Sequence, residues 1–241
     1  MKRLNLFATI AVASIVCNQS LAEEVKQGWS NESEASVVTL SGNTESESYS
    51  GKSVTKLTDG SNTYSLNARY LDTRADGVQS AKAWGLSGRF ERKFSPVWGA
   101  FVGYGAESDI TGGYIQRDNA DIGAKYYFVK SEGFDWFSEL GYRLTQTIPL
   151  AGDKFTESFG RVYMEVLKTI RNDLQGRLWG EYLPNFRQSS GYLYNIEPSI
   201  MVTLSEIFSM KVAYLYKYNG GAPEPLKKAE ALFTTSLVAK F

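Results

Sequence analysis

The sequence predicts an all-β fold, a single closed antiparallel up-and-down transmembrane β-barrel of about twelve strands. Three observations favour this fold. Runs of about 10–14 residues alternate apolar and polar side chains along most of the chain, the connections between runs alternate between tight and long, and the last run continues to the terminal Phe241. Side chains alternate between the two faces of a strand, so this period of two indicates strands with one apolar face.

Twelve such runs can be counted after residue 29. In chain order they cover approximately residues 30–41, 46–57, 62–72, 81–94, 97–108, 118–129, 134–146, 157–169, 173–184, 191–204, 207–218 and 229–241. The first two runs contain few aromatic residues and have weak boundaries, so a count of ten strands stays open.

The alternation is clear in the run 207–218. One face carries Phe208, Met210 and Val212, and the other face carries Lys211 and Lys217. A helix would scatter the same apolar residues around its cylinder, so the run is predicted to be a strand.

Pro198 is the exception inside the tenth run. Proline cannot donate a ladder hydrogen bond, and a closed barrel has no free edge strand on which to place it. A β-bulge is therefore predicted at Pro198.

The connections differ in length at the two ends of the runs. The tight ones are predicted at 58–61, 95–96, 129–134, 171–173 and 205–206. Longer polar loops are predicted at 72–80, 108–119, 147–157, 184–191 and 219–228. Short turns at one end and long loops at the other are typical of outer-membrane barrels.

The N-terminal segment resembles a secretory signal peptide. Lys2 and Arg3 precede an apolar segment at 6–16, and Ala22 ends a small-residue cleavage motif, so a leader over 1–22 and a barrel over 23–241 are predicted. The apolar segment is too short to span a membrane. Cys17 lies inside the leader, with its lipidation as the less favoured alternative.

Alternation alone does not give the direction in which the apolar face points. Three arguments favour the lipid: twelve strands would enclose a very large dry interior in a soluble barrel, aromatic residues cluster near the ends of runs, and a closed barrel satisfies every backbone group in a bilayer. The predicted location is the bacterial outer membrane, with its lipid as a partner and the monomer as the expected state.

An outward apolar face turns the charged residues toward the lumen. The predicted lumen-lining charges are Arg69, Arg89, Glu91, Asp121, Lys125, Glu139, Arg143, Arg161, Glu165, Arg177, Glu181, Glu197, Lys211 and Lys217, together with Lys93 and Glu107. A hairpin centred on Arg171 would make Glu165 face Arg177 and Arg161 face Glu181. Pairing across strands is the favoured interpretation, and a mildly basic constriction is the alternative.

Several kinds of chemistry are absent from the sequence. The 241 residues carry a net charge of zero, contain no histidine and contain one cysteine. The charge balance predicts no nucleic-acid partner. Without histidine there is no Ser-His-Asp triad and no imidazole metal ligand, so no catalytic residue, metal site or cofactor is predicted.

Three segments resemble a known family. They are LSGNTESESYSG at 40–51, NARY at 67–70, and MKVAYLYKYNGGAPEP at 210–225 followed by FTTSLVAKF. The chain is similar to the YdiY-like, salt-stress-induced bacterial outer-membrane proteins, whose domain has no known function. The resemblance implies an outer-membrane β-barrel in a Gram-negative bacterium and supplies no substrate. A terminal aromatic residue such as Phe241 resembles the signal read by the barrel-assembly machinery.

Two functions are compatible with a barrel of this size. Eight strands are filled by side chains and 16–18 leave a channel, so twelve permit either a narrow conduit or a plugged tube. The first hypothesis is a porin-like role in envelope-stress adaptation, with passive passage of a small, unidentified solute through a narrow charged lumen. The alternative is a non-conducting barrel that binds a partner through its long loops. An outer-membrane enzyme is the least favoured.

Overall fold

The structure is a computed structural model that describes residues 27–40, 45–222 and 227–241. The predicted leader at 1–22, with its cleavage site at Ala22, lies outside the described residues. So do parts of two segments that carried the family resemblance, residues 41–44 and 223–226.

Twelve strands account for most of the described chain. They are β1 Gly28–Leu40, β2 Ser46–Asp59, β3 Asn62–Ala75, β4 Val78–Lys93, β5 Trp98–Asp109, β6 Tyr114–Ser131, β7 Phe134–Pro149, β8 Phe155–Arg171, β9 Leu174–Leu183, β10 Leu193–Thr203, β11 Phe208–Asn219 and β12 Ala229–Lys240. The prediction of twelve strands is confirmed, and the alternative of ten is wrong.

The strands form one closed barrel in which each pairs with its sequence neighbours and β12 pairs antiparallel with β1. The terminal residue takes part in this closure. Phe241 and Asn31 exchange two backbone N–H···O hydrogen bonds, both of 2.9 Å. The predicted closed up-and-down barrel is confirmed, because the last strand completes the ring against the first.

The connections are shorter than predicted at what we call the loop end, the rim that holds the β3–β4 and β9–β10 connections. The expected loop at 72–80 is a two-residue turn at Asp76 and Gly77, whose φ angles are 50° and 74°. Positive φ at both central residues is the type I′ turn that matches strand twist. Strands also continue into the expected loops at 108–119 and 147–157, leaving only 110–113 and 150–154 as connections.

The sequence pattern does not predict these strand ends, because their outermost residues have no apolar face. The longest fully described connection runs from residue 184 to 192 and contains a 3-10 turn at Ser189–Gly191. The opposite rim, which we call the turn end, has connections of two to four residues, such as 60–61 and 94–97. Within the described ranges, no helix is long and apolar enough to cross a bilayer.

The predicted bulge at Pro198 is wrong. Pro198 pairs in register with Leu178 of β9. On the β11 side, Ile196 faces Tyr216 and Ser199 faces Ala213, so two residues lie between these pairs on each strand and neither strand has an extra one. The exposed Pro198 ring points outward, and the ladder accommodates the missing donor by a local gap in pairing with β11 rather than by an extra residue.

The barrel is apolar outside and charged inside. Leu66, Leu86, Val102, Ile122 and Leu140 are all about half exposed or more on the outer surface. The inner surface holds charged side chains that are almost completely buried, in agreement with the predicted alternation of the two faces.

One outward patch departs from this pattern. Asn31, Ser33, Ser53 and Thr55 lie on the outer face of β1 and β2, where every other strand presents larger apolar side chains. The Asn31 amide donates to Ser53 at 3.0 Å and to Thr55 at 2.8 Å, and the Ser33 hydroxyl donates to Asn31 at 2.8 Å. The four side chains therefore satisfy one another.

Candidate functional site: the charged lumen

The charged residues predicted to line the lumen are all buried or half-buried inside the barrel. Eight are buried, namely Glu91, Lys125, Glu139, Arg143, Arg161, Glu165, Glu181 and Lys211. The other six are half-buried, namely Arg69, Arg89, Asp121, Arg177, Glu197 and Lys217. Lys93 is half-buried as well, and Glu107 is buried.

Arginine and carboxylate side chains alternate across the middle of the lumen. Arg143 on β7 makes a bidentate pair with Asp121 on β6, at 2.6 and 2.8 Å, and also reaches Glu181 on β9 at 3.3 Å. Arg161 on β8 donates to Glu181 at 2.7 Å and to Glu139 at 2.7 Å. Each shared partner joins two pairs, so the contacts form a chain rather than isolated bridges.

The same chain continues to β4. Arg89 donates to Glu139 at 2.7 and 3.1 Å and to Glu91 at 3.1 Å. Lys125 lies 3.3 Å from Glu91 and is fully buried. We call these eight residues the central network: Asp121, Arg143, Glu181, Arg161, Glu139, Arg89, Glu91 and Lys125. It contains four cations and four carboxylates and is therefore formally neutral.

An aromatic side chain and a glycine make room for the central network. Phe101 of β5 points inward, and the Arg89 guanidinium carbon lies 3.8 Å from its ring centre. A Cβ atom at Gly123 would come within 2.7 Å of the Phe101 ring and 2.5 Å of the Leu140 carbonyl oxygen. Only glycine permits this close approach of β6, β7 and the ring.

Below the central network, toward the turn end, the lumen is filled by an aromatic layer. Tyr127, Phe137, Tyr163, Trp179 and Leu215 form one buried cluster, on which Leu232 packs. These residues come from β6, β7, β8, β9, β11 and β12, so the layer reaches from one wall of the barrel to the other. The Lys125 ammonium lies 4.1 Å from the Phe137 ring centre and joins the network to the layer.

The predicted partners in the β8–β9 hairpin are correct, but the predicted register is wrong. Glu165 faces Trp179, and Glu181 faces Tyr163, because the turn of the hairpin lies at 172–173 and not at Arg171. Arg177 nevertheless reaches Glu165 at 2.7 and 2.9 Å, and Arg161 reaches Glu181 at 2.7 Å. Long side chains bridge the diagonal positions of neighbouring strands.

Two smaller groups complete the charged lining. Near the β1–β12 seam, Lys211 lies 3.3 Å from Glu34 and 3.6 Å from Glu197. Toward the loop end, Glu107 bonds Arg69. Among the residues described, no group of three or more Asp, Glu, Cys or His side chains is arranged to hold a metal ion.

Above the central network, toward the loop end, a cavity of about 420 Å³ opens inside the barrel. Arg143 of the central network lies at its floor, and Glu107, Arg117, Glu157 and Tyr114 contribute to its walls. The Arg117 guanidinium stacks over the Tyr114 ring at 3.9 Å. We call this cavity the vestibule. The lumen is therefore open at one end and filled by side chains at mid-height.

Sequence reasoning missed the aromatic layer. Tyr127, Phe137, Tyr163 and Trp179 have the same parity along their strands as the inward charges Lys125, Glu139, Arg161 and Glu181. That shared parity is the sequence signal that places the four rings in the lumen.

Comparison with known proteins gives a family and a fold. A family profile described as "Protein of unknown function, DUF481" matches residues 33–241. None of the curated proteins compared with the chain matches it.

Solved structures include similar barrels. The NanC porin is 9% identical with a TM-score of 0.52, and the match covers 88% of this chain and 97% of that one. The KdgM porin in complex with disordered oligogalacturonate is 10% identical with a TM-score of 0.47, covering 88% and 96%. The translocator domain of the autotransporter NalP from Neisseria meningitidis is 10% identical with a TM-score of 0.47, covering 91% and 90%. At such identities the likeness to the NanC porin shows a shared barrel fold and nothing finer.

Proposed function

The chain belongs to the DUF481 family, which confirms the YdiY-like resemblance, and from that premise we propose that it is a non-enzymatic barrel of the bacterial outer membrane whose lumen does not conduct. In this proposal the barrel is a monomer whose vestibule opens at the loop end. The observation that carries it is the filled interior, in which charged and aromatic side chains occupy the space that a channel needs.

The outer surface supports the membrane location. Large apolar side chains alternate with inward polar ones on almost every strand, and aromatic residues such as Phe94, Trp98 and Phe208 are exposed near the turn end. A barrel in water would place the same apolar side chains in its interior. A barrel in lipid needs them outside, and a girdle of aromatic rings at the interface.

The interior supports the closed lumen. A hydrated ion needs a continuous polar path, but the aromatic layer puts Phe137 and Tyr163 across that path with exposures of 2% and 1%. The central network above the layer is formally neutral, and each of its four cations donates to a carboxylate of the same network.

Planar-bilayer recording of the purified protein tests the proposal. The wild type should show no current steps across voltage and salt. A variant with Phe137→Ser, Tyr163→Ser, Arg161→Ser and Glu181→Ser should conduct, because it removes side chains from both the layer and the network without a net change in charge. The matched control is Leu140→Ala with Val162→Ala, an outward pair in register on the same two strands, which should stay silent. Reproducible steps from the folded wild type would refute a closed lumen.

A second candidate is the porin-like passage of a small solute in envelope-stress adaptation. The vestibule favours it, because a cavity of about 420 Å³ gives a small solute room to enter the barrel as far as Arg143. Passage would require the central network and the aromatic layer to separate. Current steps that appear in the wild type only above a threshold voltage would support this candidate over the first.

A further inference from the structure

Arg117 differs from the other arginines inside the described barrel, because no carboxylate lies within hydrogen-bond distance of it. Every other inward arginine donates to at least one carboxylate, namely Arg69, Arg89, Arg143, Arg161 and Arg177. Arg117 lies 4.0 Å from Glu107, which already accepts from Arg69. Its Nε donates to the Thr147 hydroxyl at 3.3 Å. A guanidinium has five N–H groups, so Arg117 keeps donors for a further anion.

Packing holds this guanidinium in place although no acid does. Its carbon atom lies 3.9 Å from the ring centre of Tyr114, which is 4% exposed. A guanidinium stacked on a fixed ring loses little freedom on binding, and its planar fork matches the two oxygens of a carboxylate. Arg117 lines the vestibule with 27% of its side chain exposed, so its donors are accessible from the loop end.

The register of β6, β7 and β8 arranges the vestibule wall beside Arg117 in rows. In the outer row Arg117 faces Thr147. In the next row toward the floor, Asn119 faces Thr145, which in turn faces Glu157. Neighbouring rows are ~7 Å apart along the strands, and neighbouring strands are ~5 Å apart. A ligand that is ~7–10 Å long can therefore contact Arg117 at one end and the second row at the other.

The second row can both donate to a ligand and accept from it. The Asn119 carbonyl oxygen accepts from Thr145 at 2.8 Å, which leaves the amide nitrogen of this 5% exposed residue as a donor at the cavity wall. One Glu157 oxygen accepts from Asn185 at 2.8 Å, which leaves the other oxygen as an acceptor. Hydroxyl groups both donate and accept, so they match this mixed row better than an ammonium group does.

The vestibule also has the size and apolar surface of a small-molecule site. Its volume of about 420 Å³ lies within the range of ~300–1,000 Å³ that is usual for ligand pockets. Phe155, which is 43% exposed, and Leu193 contribute apolar surface to its lining. That surface suits the carbon chain of a polar ligand.

The charges of the vestibule indicate which kind of ligand complements it. Four charged residues line it. Arg143 is paired within the central network and Glu107 with Arg69, so Arg117 and Glu157 remain. An acid at one end of the ligand and hydroxyl donors at the other complement both. A single guanidinium one row from a carboxylate suits a monoanion better than a phosphate dianion.

We propose that the vestibule binds a small polyhydroxy carboxylate, whose carboxylate pairs with Arg117 and whose hydroxyl groups reach Asn119 and Glu157. The proposal rests on the proposed function, because a barrel closed at mid-height holds a ligand that a conducting lumen would pass on.

Gluconate and sorbitol are matched probes for this site. They carry the same chain of hydroxyl groups and differ only at one terminal carbon, which is a carboxylate in gluconate. Radiolabelled gluconate is equilibrated by dialysis with the purified barrel in a detergent without sugar head groups, and sorbitol is added as a competitor. We expect saturable gluconate binding and an affinity for sorbitol that is lower by ~10-fold or more, since a hydrogen bond to a charged group contributes that much. Absence of saturable gluconate binding, or equal affinity for both probes, would overturn the proposal.

Arg117→Gln tests the carboxylate contact. It should weaken gluconate binding by ~10-fold or more and leave sorbitol binding unchanged. The matched control is Arg74→Gln, which removes the same charge near the same rim from a side chain that is 56% exposed. Equal loss in both variants would assign the attraction to the overall charge of the rim and overturn a site at Arg117. The mobility of unheated samples on a gel checks that each variant is folded, and the comparison of the two probes on the wild type decides the proposal without any variant.

Hexanoate tests the hydroxyl contacts, because it has a carboxylate on a chain of the same length as gluconate but no hydroxyl groups. Gluconate should bind more tightly than hexanoate to the wild type, and Glu157→Gln should reduce that difference. The comparison is between two monoanions, so repulsion by Glu157 cancels. Equal binding of the two anions, or a difference that Glu157→Gln leaves unchanged, would overturn the contacts with the second row.

Bilayer recording of the same preparation separates this inference from the proposed function. Current steps from a wild type that still prefers gluconate over sorbitol would refute the closed lumen and leave the binding site supported. A silent wild type that does not distinguish the two probes would overturn the binding site and leave the closed lumen supported.

Discussion

Arg161 illustrates how one buried cation serves two carboxylates. It is 3% exposed and donates to both Glu181 and Glu139. Arg161→Leu would leave the two acids without their shared partner. We expect a loss of ~3–5 kcal/mol in the free energy of unfolding, since removal of one member of a buried pair leaves charge uncompensated. Urea unfolding in detergent micelles, followed by tryptophan fluorescence, measures it.

Arg74→Leu is the control for this change. Arg74 pairs with Asp72 at 3.3 Å, but its side chain is 56% exposed. Exposed pairs contribute ~0–1 kcal/mol, so the variant should unfold nearly as the wild type does. Equal effects of the two substitutions would mean that the central network fills space without stabilising the barrel.

Gly123 is a position where a single added methyl group should destabilise the barrel. An added Cβ would lie 2.5 Å from the Leu140 carbonyl oxygen and 2.7 Å from the Phe101 ring. Gly123→Ala should cost ~1–3 kcal/mol, as overpacking of a tight interior does. The folded barrel and the unfolded chain migrate differently on a gel. The temperature at which half of the protein has changed from the first mobility to the second should therefore fall.

Gly88→Ala tests whether strand glycines are sensitive in general. Gly88 lies on β4, and an added Cβ there meets no atom within 4 Å. Its midpoint should stay at the wild-type value. A fall of the same size in both variants would assign the effect to strand glycine itself and not to the contact with Phe101.

The charges of the candidate site are predictable from residue type, and its rings only from their parity with those charges. A carboxylate such as Glu139 has only one reasonable face on a lipid-embedded strand, so parity alone assigns it to the lumen. Phe137 can be placed on either face, because a ring can contact lipid or fill an interior. Its parity with Glu139 on the same strand assigns it to the lumen, whereas its residue type alone does not.

The strands themselves extend further than their sequence pattern. Beyond the apolar band both faces meet water, so alternation stops while backbone pairing continues, as between Glu47 and Arg74 of β2 and β3. The strand interiors, where one face is apolar, were predictable for this reason. The positions of the ends, the turn at Asp76 and the ladder at Pro198 depend on backbone pairing that side-chain pattern does not report.

Limited trypsin digestion separates the predicted loop at 72–80 from the observed hairpin. Arg74 lies in a paired strand, whereas the exposed Arg187 lies in the 184–192 connection. Cleavage after Arg187 should precede cleavage after Arg74, since a protease needs locally unfolded backbone. Mass spectrometry of early fragments is the measurement.

Arg187→Gln provides the check, because it removes the preferred site and should slow the first cut. Early cleavage after Arg74 in the intact barrel would mean that the β3–β4 hairpin is not formed at the loop end.

At the scale of the molecule, closure depends on the last residue in two separable ways. The Phe241 backbone pairs with Asn31, while its side chain is 73% exposed. Phe241→Ser keeps the backbone pairing. If the ring is an assembly signal, the variant should accumulate less folded barrel in the outer membrane, yet the purified, refolded protein should unfold within ~1 kcal/mol of the wild type.

Phe233→Ser is the matched control, because Phe233 lies on the outer face of β12, the strand that Phe241 directly follows, and is 66% exposed. It should assemble at normal levels. Equal loss of assembled barrel in both variants would indicate a general need for apolar surface on β12 rather than a terminal signal.

An even number of strands returns the polypeptide to the rim from which it started. Glu32 and Lys240 accordingly face each other near the turn end, while the 184–192 connection lies on the opposite rim. An epitope inserted in the 60–61 turn and one inserted beside Arg187 would therefore report from opposite compartments. Antibody binding to intact and to lysed cells would then show which rim of the barrel faces the outside of the cell.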